Sequence, residues 1–559
     1  MGKSKRFCSS RLATALFTIA LPSVAAAAAG RGPTYDRYEG DITVSPTLPL
    51  FSTGIELAPG GVLTITGGTG NDTASVSAPL RGTITATRGG FSASYSTSEV
   101  TKIVFYGNAG DDTFTNSTSI PAEAYGGDGN DTLNGGSGAD FLVGGYGQDT
   151  IRGYGGNDTL WGSGGSDWLY GGEGNDLIKG HGGNDALYGE NGSDSLYGGS
   201  GNDSLSGGAS QDTLVTIGGD YDTVSGGTSD DLFWVDTTDT VSDASAIELN
   251  ESYVNKVAAF YSYSYNGGSS TTPVAKDLTS FDLADPFPTN WDVDLANFDD
   301  RPLFASTGPN KEDVLQGNVG DCFILGPLAA VADATPDSIR KLVVDLDDGT
   351  YAVRFFRTEG GAAEYVRVDA DLWIDEVTGK PEYAKLGLVE QALWVPIVEK
   401  AFAFFRRQDG AYASISGGNG SGPGPVILGA NNDENFTIDP IYDANAIIAW
   451  HNAGRPAGAI NNYINSQVPQ LLQWIADRQA EGRPVYTGNI SGANNNTAFD
   501  VDNWRRGQHI IMVDHVNYDA NGNPISLTLR DQIGPVYRTI SDFPRLYFLI
   551  GRAYVYDMP

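Results

Sequence analysis

From Gly126 the chain repeats every nine residues through ten consecutive units: GGDGNDTLN, GGSGADFLV, GGYGQDTIR, GYGGNDTLW, GSGGSDWLY, GGEGNDLIK, GHGGNDALY, GENGSDSLY, GGSGNDSLS and GGASQDTLV. The sixth position is always aspartate: Asp131, Asp140, Asp149, Asp158, Asp167, Asp176, Asp185, Asp194, Asp203 and Asp212. The eighth is always Leu or Ile, from Leu133 to Leu214. No nonapeptide can bury its apolar residue alone, so the units must stack as one body. Glycines allow the tight turns and let carbonyl oxygens approach an ion. The aspartates add hard oxygen ligands, and Ca²⁺ takes roughly 6–8 oxygens in flexible geometry. A column of stacked carboxylates repels itself unless cations lie within it, so the roll is expected to form only with calcium.

These units resemble the RTX nonapeptide repeats of secreted bacterial proteins, whose pattern is GGxGxDxUx. The resemblance implies a parallel β-roll with calcium between successive turns. Imperfect copies at Gly67–Asp72, Gly107–Asp112 and Gly226–Asp231 read as capping turns and weaker calcium candidates. From Gly61 to Phe114, Thr, Val, Ile, Ser and Phe alternating with Gly predict short β-strands.

The chain opens on Lys3, Lys5, Arg6 and Arg11, an apolar stretch from Leu12 to Val24, and small residues Ala25 to Ala29. This order reads as a secretory signal peptide, so the mature protein is expected to be secreted and extracellular. RTX proteins often use a C-terminal export signal; repeats in the N-terminal half behind an ordinary leader imply the general route instead. No later stretch predicts a transmembrane segment. The formal charge of −35 argues against nucleic acid and anionic lipid as partners and suits cations.

Cys8 leaves with the leader, so Cys322 stands alone in the string QGNVGDCFIL. A lone thiol in an exported protein has no disulfide partner within the chain. Gly317 and Gly320 permit a tight turn, and the apolar run from Phe323 predicts a buried helix. Cys322 would then sit at a helix N-terminus, where the thiolate is favoured. From about residue 298 the composition becomes that of an ordinary globular domain. Helices are predicted over 323–332 and 387–407, and strands over 351–356, 365–368, 510–516 and 526–530.

This second half resembles the calpain-type, papain-like cysteine proteases. QGNVGDCFIL matches the family's cysteine motif, and LWVPIVEKAFAFFRRQDGAYASISGG (Leu393 to Gly418) matches its helix and loop. Gly507-Gln508-His509 followed by IIMV matches its histidine region, and Leu529-Arg530-Asp531 aligns with its Leu-Arg-Asn. The resemblance implies that Cys322 is the nucleophile, His509 the base, Asp531 the group that orients it, and Gln316 part of an oxyanion hole. The family's Asn-Pro-Trp-Gly reads Asp531-Gln532-Ile533-Gly534 here. An aspartate can still accept the imidazole N–H, but the Trp that shields that hydrogen bond is missing. His515 is the fallback base, since in a straight strand it shares a side with His509; His181 and His451 read as structural. The family's core calcium site would draw on Asp313, but its glutamate position reads Ala392.

The fold class is therefore multidomain: an N-terminal parallel β-roll, then a C-terminal α+β papain-like, calpain-like protease domain. The divisions are a signal peptide over 1–29, a β-rich segment with degenerate repeats over 30–120, the calcium-binding roll over 121–236, a linker over 237–295, and the protease-like domain over 296–559. The function read from this is a secreted, calcium-dependent cysteine endopeptidase acting on protein or peptide substrates, with Ca²⁺ as cofactor. Two alternatives stay open: a Cys-His-Asp transglutaminase-like acyltransferase, and an extracellular calcium-binding adhesion or matrix protein with an inactive protease domain.

Overall fold

The computed structural model describes residues 54–80, 82–218, 221–245, 248–249, 253–261, 293–316, 322–356, 362–375, 377–388, 390–407, 431–437, 459–488, 510–531, 536–541 and 552–557. The leader, His451 and His509 lie outside them. Among the described residues no helix is long and apolar enough to cross a membrane.

Each nonapeptide forms one short strand, and consecutive strands fall alternately into two eleven-stranded sheets. Two units thus make one turn of a parallel solenoid. Phe141–Tyr146 pairs with Thr159–Gly164 on one sheet, and Thr150–Gly155 with Trp168–Glu173 on the other. This register stacks identical repeat positions. Leu142, Leu160, Ile178, Leu196 and Leu214 form one inward ladder; Leu133, Ile151, Leu169, Leu187 and Leu205 form the facing one, all buried. Each such side chain contributes about 1.5–3 kcal/mol on burial.

Flanking segments continue the same sheets. Val62–Thr66, Lys102–Ala109 and Ala122–Asp128 precede the array in the first sheet, and Leu232–Asp236 and Val254–Val257 follow it. The Thr73–Leu80, Thr83–Arg88 and Phe91–Ser96 strands close the second sheet with antiparallel pairing. There Arg88 lies 3.2 Å from Asp72. The stretch read as a linker therefore supplies strands at its start, and Phe260–Tyr261 pairs with the second half of the chain.

In that second half, Val343–Asp345, Thr350–Phe356 and Ala363–Asp369 form an antiparallel sheet. The Cys322–Ala334 and Trp394–Arg407 helices share one core with it, around Leu328, Phe355, Trp394 and Val398. The second helix starts at Trp394 rather than 387, because Glu390 and Gln391 adopt left-handed φ of 54° and 56°. A six-stranded antiparallel sheet carries Asn431–Thr437, Arg552–Asp557, Val485–Gly488, Ile510–Tyr518, Pro524–Asp531 and Val536–Ile540, in that spatial order. The Ala459–Ala480 helix packs on it. Helices beside antiparallel sheets make this half α+β.

The two halves share a small core. Val215, Leu232, Trp234, Val257 and Phe260 of the roll meet Val344, Ala352 and Tyr365. Arg354, itself buried, donates to Asn255 Oδ1 at 2.8 Å, and Lys179 pairs with Asp347.

Candidate functional site

The stacked aspartates form two seams along the roll. In each, Oδ1 accepts the backbone N–H of the residue one turn earlier, as Asp149 does from Asp131 at 2.7 Å and Asp158 from Asp140 at 2.8 Å. The other oxygen, Oδ2, is buried and has no hydrogen-bond partner at any of the ten repeat aspartates, nor at Asp112 or Asp231. A buried carboxylate oxygen without a donor is costly unless a cation takes the donor's place. Backbone oxygens converge on the same points. A Cβ on Gly126 would run into Asp131 Oδ2 and lie 2.5 Å from the Gly144 oxygen, so only glycine leaves the nest open. Among the described residues nowhere do three or more acidic or histidine side chains gather, so carbonyls must complete any coordination shell. This all-oxygen donor set fits calcium.

The structure also lengthens the seams. One runs from Asp72 through Asp112, Asp131, Asp149, Asp167, Asp185 and Asp203 to Asp222 and Asp239; the other runs from Asp140 through Asp158, Asp176, Asp194 and Asp212 to Asp231 and Glu248. Asp239 and Glu248 are missed by the repeat pattern because they occupy turns of irregular length.

Without a cation, burial pushes these carboxyls up, against the opposing pull of the backbone N–H. Asp149, Asp185 and Asp212 rise to about 8. Asp131, Asp140, Asp158, Asp194 and Asp231 rise to about 7. Asp167, Asp176 and Asp203 rise to about 6. An unfolded aspartate titrates near ~3.9, so the folded metal-free roll binds extra protons. Its carboxyls lend full stability below about pH 4 and lose it as pH rises through about 6 to 8. Calcium must displace those protons. Calcium affinity is therefore expected to climb across that window, with proton release seen by titration calorimetry in buffers of different ionisation heat. An affinity that falls with rising pH would contradict it.

In the second half, Cys322 is the first residue of its helix. Six positions earlier, Gln316 is buried and follows a 3₁₀ turn at Lys311–Asp313. Asn310 caps that turn, accepting from Glu312 N–H at 2.9 Å, while Asp313 accepts from Asn310 N–H at 3.2 Å. Two cations fasten the turn to its surroundings. Lys311 Nζ lies 2.5 Å from Asp514, on the strand that begins just after His509, and 3.0 Å from Asp333 in the helix that Cys322 opens. Burial works against this ammonium, but the bonds to Asp514 and Asp333 outweigh it and hold its pKa at about 12. Arg530, fully buried beside Asp531, donates to the Val314 oxygen at 3.3 Å and faces Glu312 at 3.5 Å. Lys311 thus ties the far end of the helix that Cys322 opens to the strand that follows His509, and Arg530, beside Asp531, ties its strand to the segment before Gln316. The side chains of Cys322 and Asp531, like all of His509, lie outside the described residues.

Further residues of the quoted motif are fasteners. Trp394 Nε1 donates to Asp313 at 2.9 Å, Glu399 accepts from Ala384 N–H at 2.7 Å, and buried Lys400 bonds Asp369 at 2.5 Å and the Asp371 oxygen at 2.7 Å. Asp313 is thus committed through one oxygen to the indole, and its other oxygen faces Gly387, where a Cβ would lie 2.5 Å away. His515 does not meet the condition set for a fallback base. A bulge between Val513 and His515 breaks the straight strand, and the exposed ring lies against Asp514 at 2.6 Å and Asn517 at 3.1 Å. His181 takes a left-handed φ of 68° in its turn, with its ring edge-on to Trp161.

The family model for the calpain family cysteine protease matches residues 286–429, and that for the RTX calcium-binding nonapeptide repeat matches 125–160, 161–196 and 188–216. This chain carries RTX calcium-binding repeats and a calpain-family cysteine protease domain. The calpain match contains Gln316, Cys322, Trp394, Glu399 and Lys400; His509 and Asp531 lie beyond it. Among curated proteins, the chain is similar to the calpain-type cysteine protease DEK1 of Arabidopsis thaliana, with 36% identity over 124 residues, 22% of this chain and 5% of that protein. The DEK1 protein of Zea mays gives 36% over 120 residues, 21% of this chain and 5% of that one. The calpain-type cysteine protease ADL1 of Oryza sativa subsp. japonica gives 34% over 122 residues, with 21% and 5% coverage. The chain thus spans about 5% of the length of these curated relatives.

Proposed function

We propose that this chain is a secreted, calcium-dependent cysteine endopeptidase of the calpain type. One observation supports the reading: Lys311 and Arg530 link the helix that Cys322 opens, the strand that follows His509, the strand that ends at Asp531 and the segment before Gln316. The Cys322 thiolate attacks the scissile carbonyl carbon, and the C–N bond breaks as His509 gives its proton to the departing amine. Water then hydrolyses the thioester, with His509 as base. Asp531 holds the imidazole through its N–H, and the Gln316 amide with the Cys322 backbone N–H steadies the oxyanion.

Calcium enters through the repeats. When bound, it neutralises the stacked carboxylates and so permits the roll to fold. The basic and apolar leader supports export to a compartment where calcium is millimolar. The test is cleavage of a peptide library by the purified chain, with and without calcium, read by mass spectrometry. New peptide termini in calcium support the proposal. Incorporation of a primary amine without cleavage assigns the domain to acyl transfer, and neither reaction assigns the chain to binding alone; both overturn it.

A further inference from the structure

The second seam does not stop with the repeats. Asp212 and Asp231 are each almost wholly buried, and Oδ2 of both lacks a hydrogen-bond partner. A Cβ on Gly207 would run into Asp212 Oδ2 and lie 2.6 Å from the Gly226 oxygen, while one on Gly226 would run into Asp231 Oδ2. This is the nest seen at Gly126, carried one turn beyond the array. The carboxylate that closes it comes from outside any repeat. Glu248, 3% exposed, accepts the Asp231 N–H through Oε1 at 2.9 Å, the position Asp231 itself takes toward Asp212 at 2.8 Å. Its Oε2 accepts from Ser245 N–H.

Both carboxylates lead directly to the protease domain. Asp231 is followed by the Leu232–Asp236 strand, whose Trp234 ring lies edge-on to Tyr365 at 5.9 Å. The Glu248 oxygen accepts from Tyr253 N–H at 3.1 Å, and the Tyr253 oxygen accepts from Phe233 N–H at 2.8 Å. Lys341 Nζ sits 3.4 Å over the Tyr253 ring, and Asn255 holds Arg354. The Leu232–Asp236 and Val254–Val257 strands, paired with each other, are thus gripped by the seam on one side and the protease domain on the other.

We infer that the seam ends in a calcium site built by Asp212, Asp231 and the Gly226 carbonyl and closed by Glu248, and that an ion there couples the roll to the folding of the protease domain. The inference rests on the reading that the repeats bind calcium, and it is independent of peptide cleavage. Without the ion, Asp231 and Glu248 repel each other across the turn, and the Leu232–Asp236 and Val254–Val257 strands lose their support.

The experiment uses the full chain with Cys322→Ala, so that no cutting intervenes. Calcium is titrated while amide hydrogen exchange is followed over 125–216, over 232–257 and over the protease strands 343–369. Calcium is expected to protect the last two regions in one step. E248Q and D231N should each lower the calcium stoichiometry by about one and raise the calcium midpoint for protecting 343–369 by about tenfold. D158N, in the middle of the same seam, should also lose about one ion but move that midpoint far less, because coupling along a stack acts between neighbours. If either terminal variant fails to fold, the parent chain decides: protection of 343–369 that does not follow calcium overturns the inference. So does E248Q behaving as D158N does. If calcium protects nothing over 125–216, the calcium reading of the repeats has failed instead.

Discussion

Cys322→Ala is expected to lower kcat/KM for peptide hydrolysis by about 10⁴-fold or more, with little change in stability. The large effect follows from role: without the sulfur no acyl-enzyme forms, and what survives is rate enhancement from binding and the oxyanion hole alone. Stability should hold because Cys322 opens its helix and alanine is the best helix former. The check pairs initial rates on a fluorogenic peptide with a melting curve for each protein. Unchanged turnover by the variant removes Cys322 from the mechanism. A collapse of melting and activity together assigns the residue to packing instead.

Chelating calcium at pH 8 is expected to unwind most of the roll. The argument is one of magnitude. Each ion held at a hundred times its dissociation constant stabilises the folded form by about 2.7 kcal/mol, whereas a whole domain is held by about 5–15 kcal/mol. A few ions lost from one cooperative stack therefore exceed that margin. The released carboxylates add to the loss, since at pH 8 most of them sit at or above their folded titration points. Far-UV circular dichroism and amide exchange should show loss of the strands between 102 and 257, restored by calcium and not by magnesium, which demands tighter octahedral geometry. Equal protection in chelator would show that the two leucine ladders suffice alone.

The roll was legible because one nonapeptide corresponds to one strand, so period, ladder and seam all follow from counting residues. Its ends were not. Asp231 follows Asp212 by 19 residues and Glu248 follows Asp231 by 17, where the array keeps 18, and Glu248 also changes residue type. In the second half, apolar alternation located the strands around 351, 365, 510 and 526. The 387–407 helix was set seven residues too early, since apolar spacing carries no sign of the left-handed turn at Glu390 and Gln391. The pairing of Lys311 with Asp514 and of Arg530 with Val314 had no local signature, because each pair is separated by some 200 residues in the chain. Family strings named the candidate catalytic residues and also contain Trp394, Glu399, Lys400 and Arg530; what these fasten emerged only from tertiary geometry.

The pairing of Arg88 with Asp72 sets the two seams apart. At that extremity a guanidinium is a tethered counter-ion, present at every ionic composition of the medium. The other seam ends where Asp231 and Glu248 abut the protease domain, and among the described residues neither carboxylate pairs with a cationic side chain. The seam that closes on Glu248 therefore takes its counter-charge from the medium, beside the enzyme half, whereas the seam that opens at Asp72 carries one of its own.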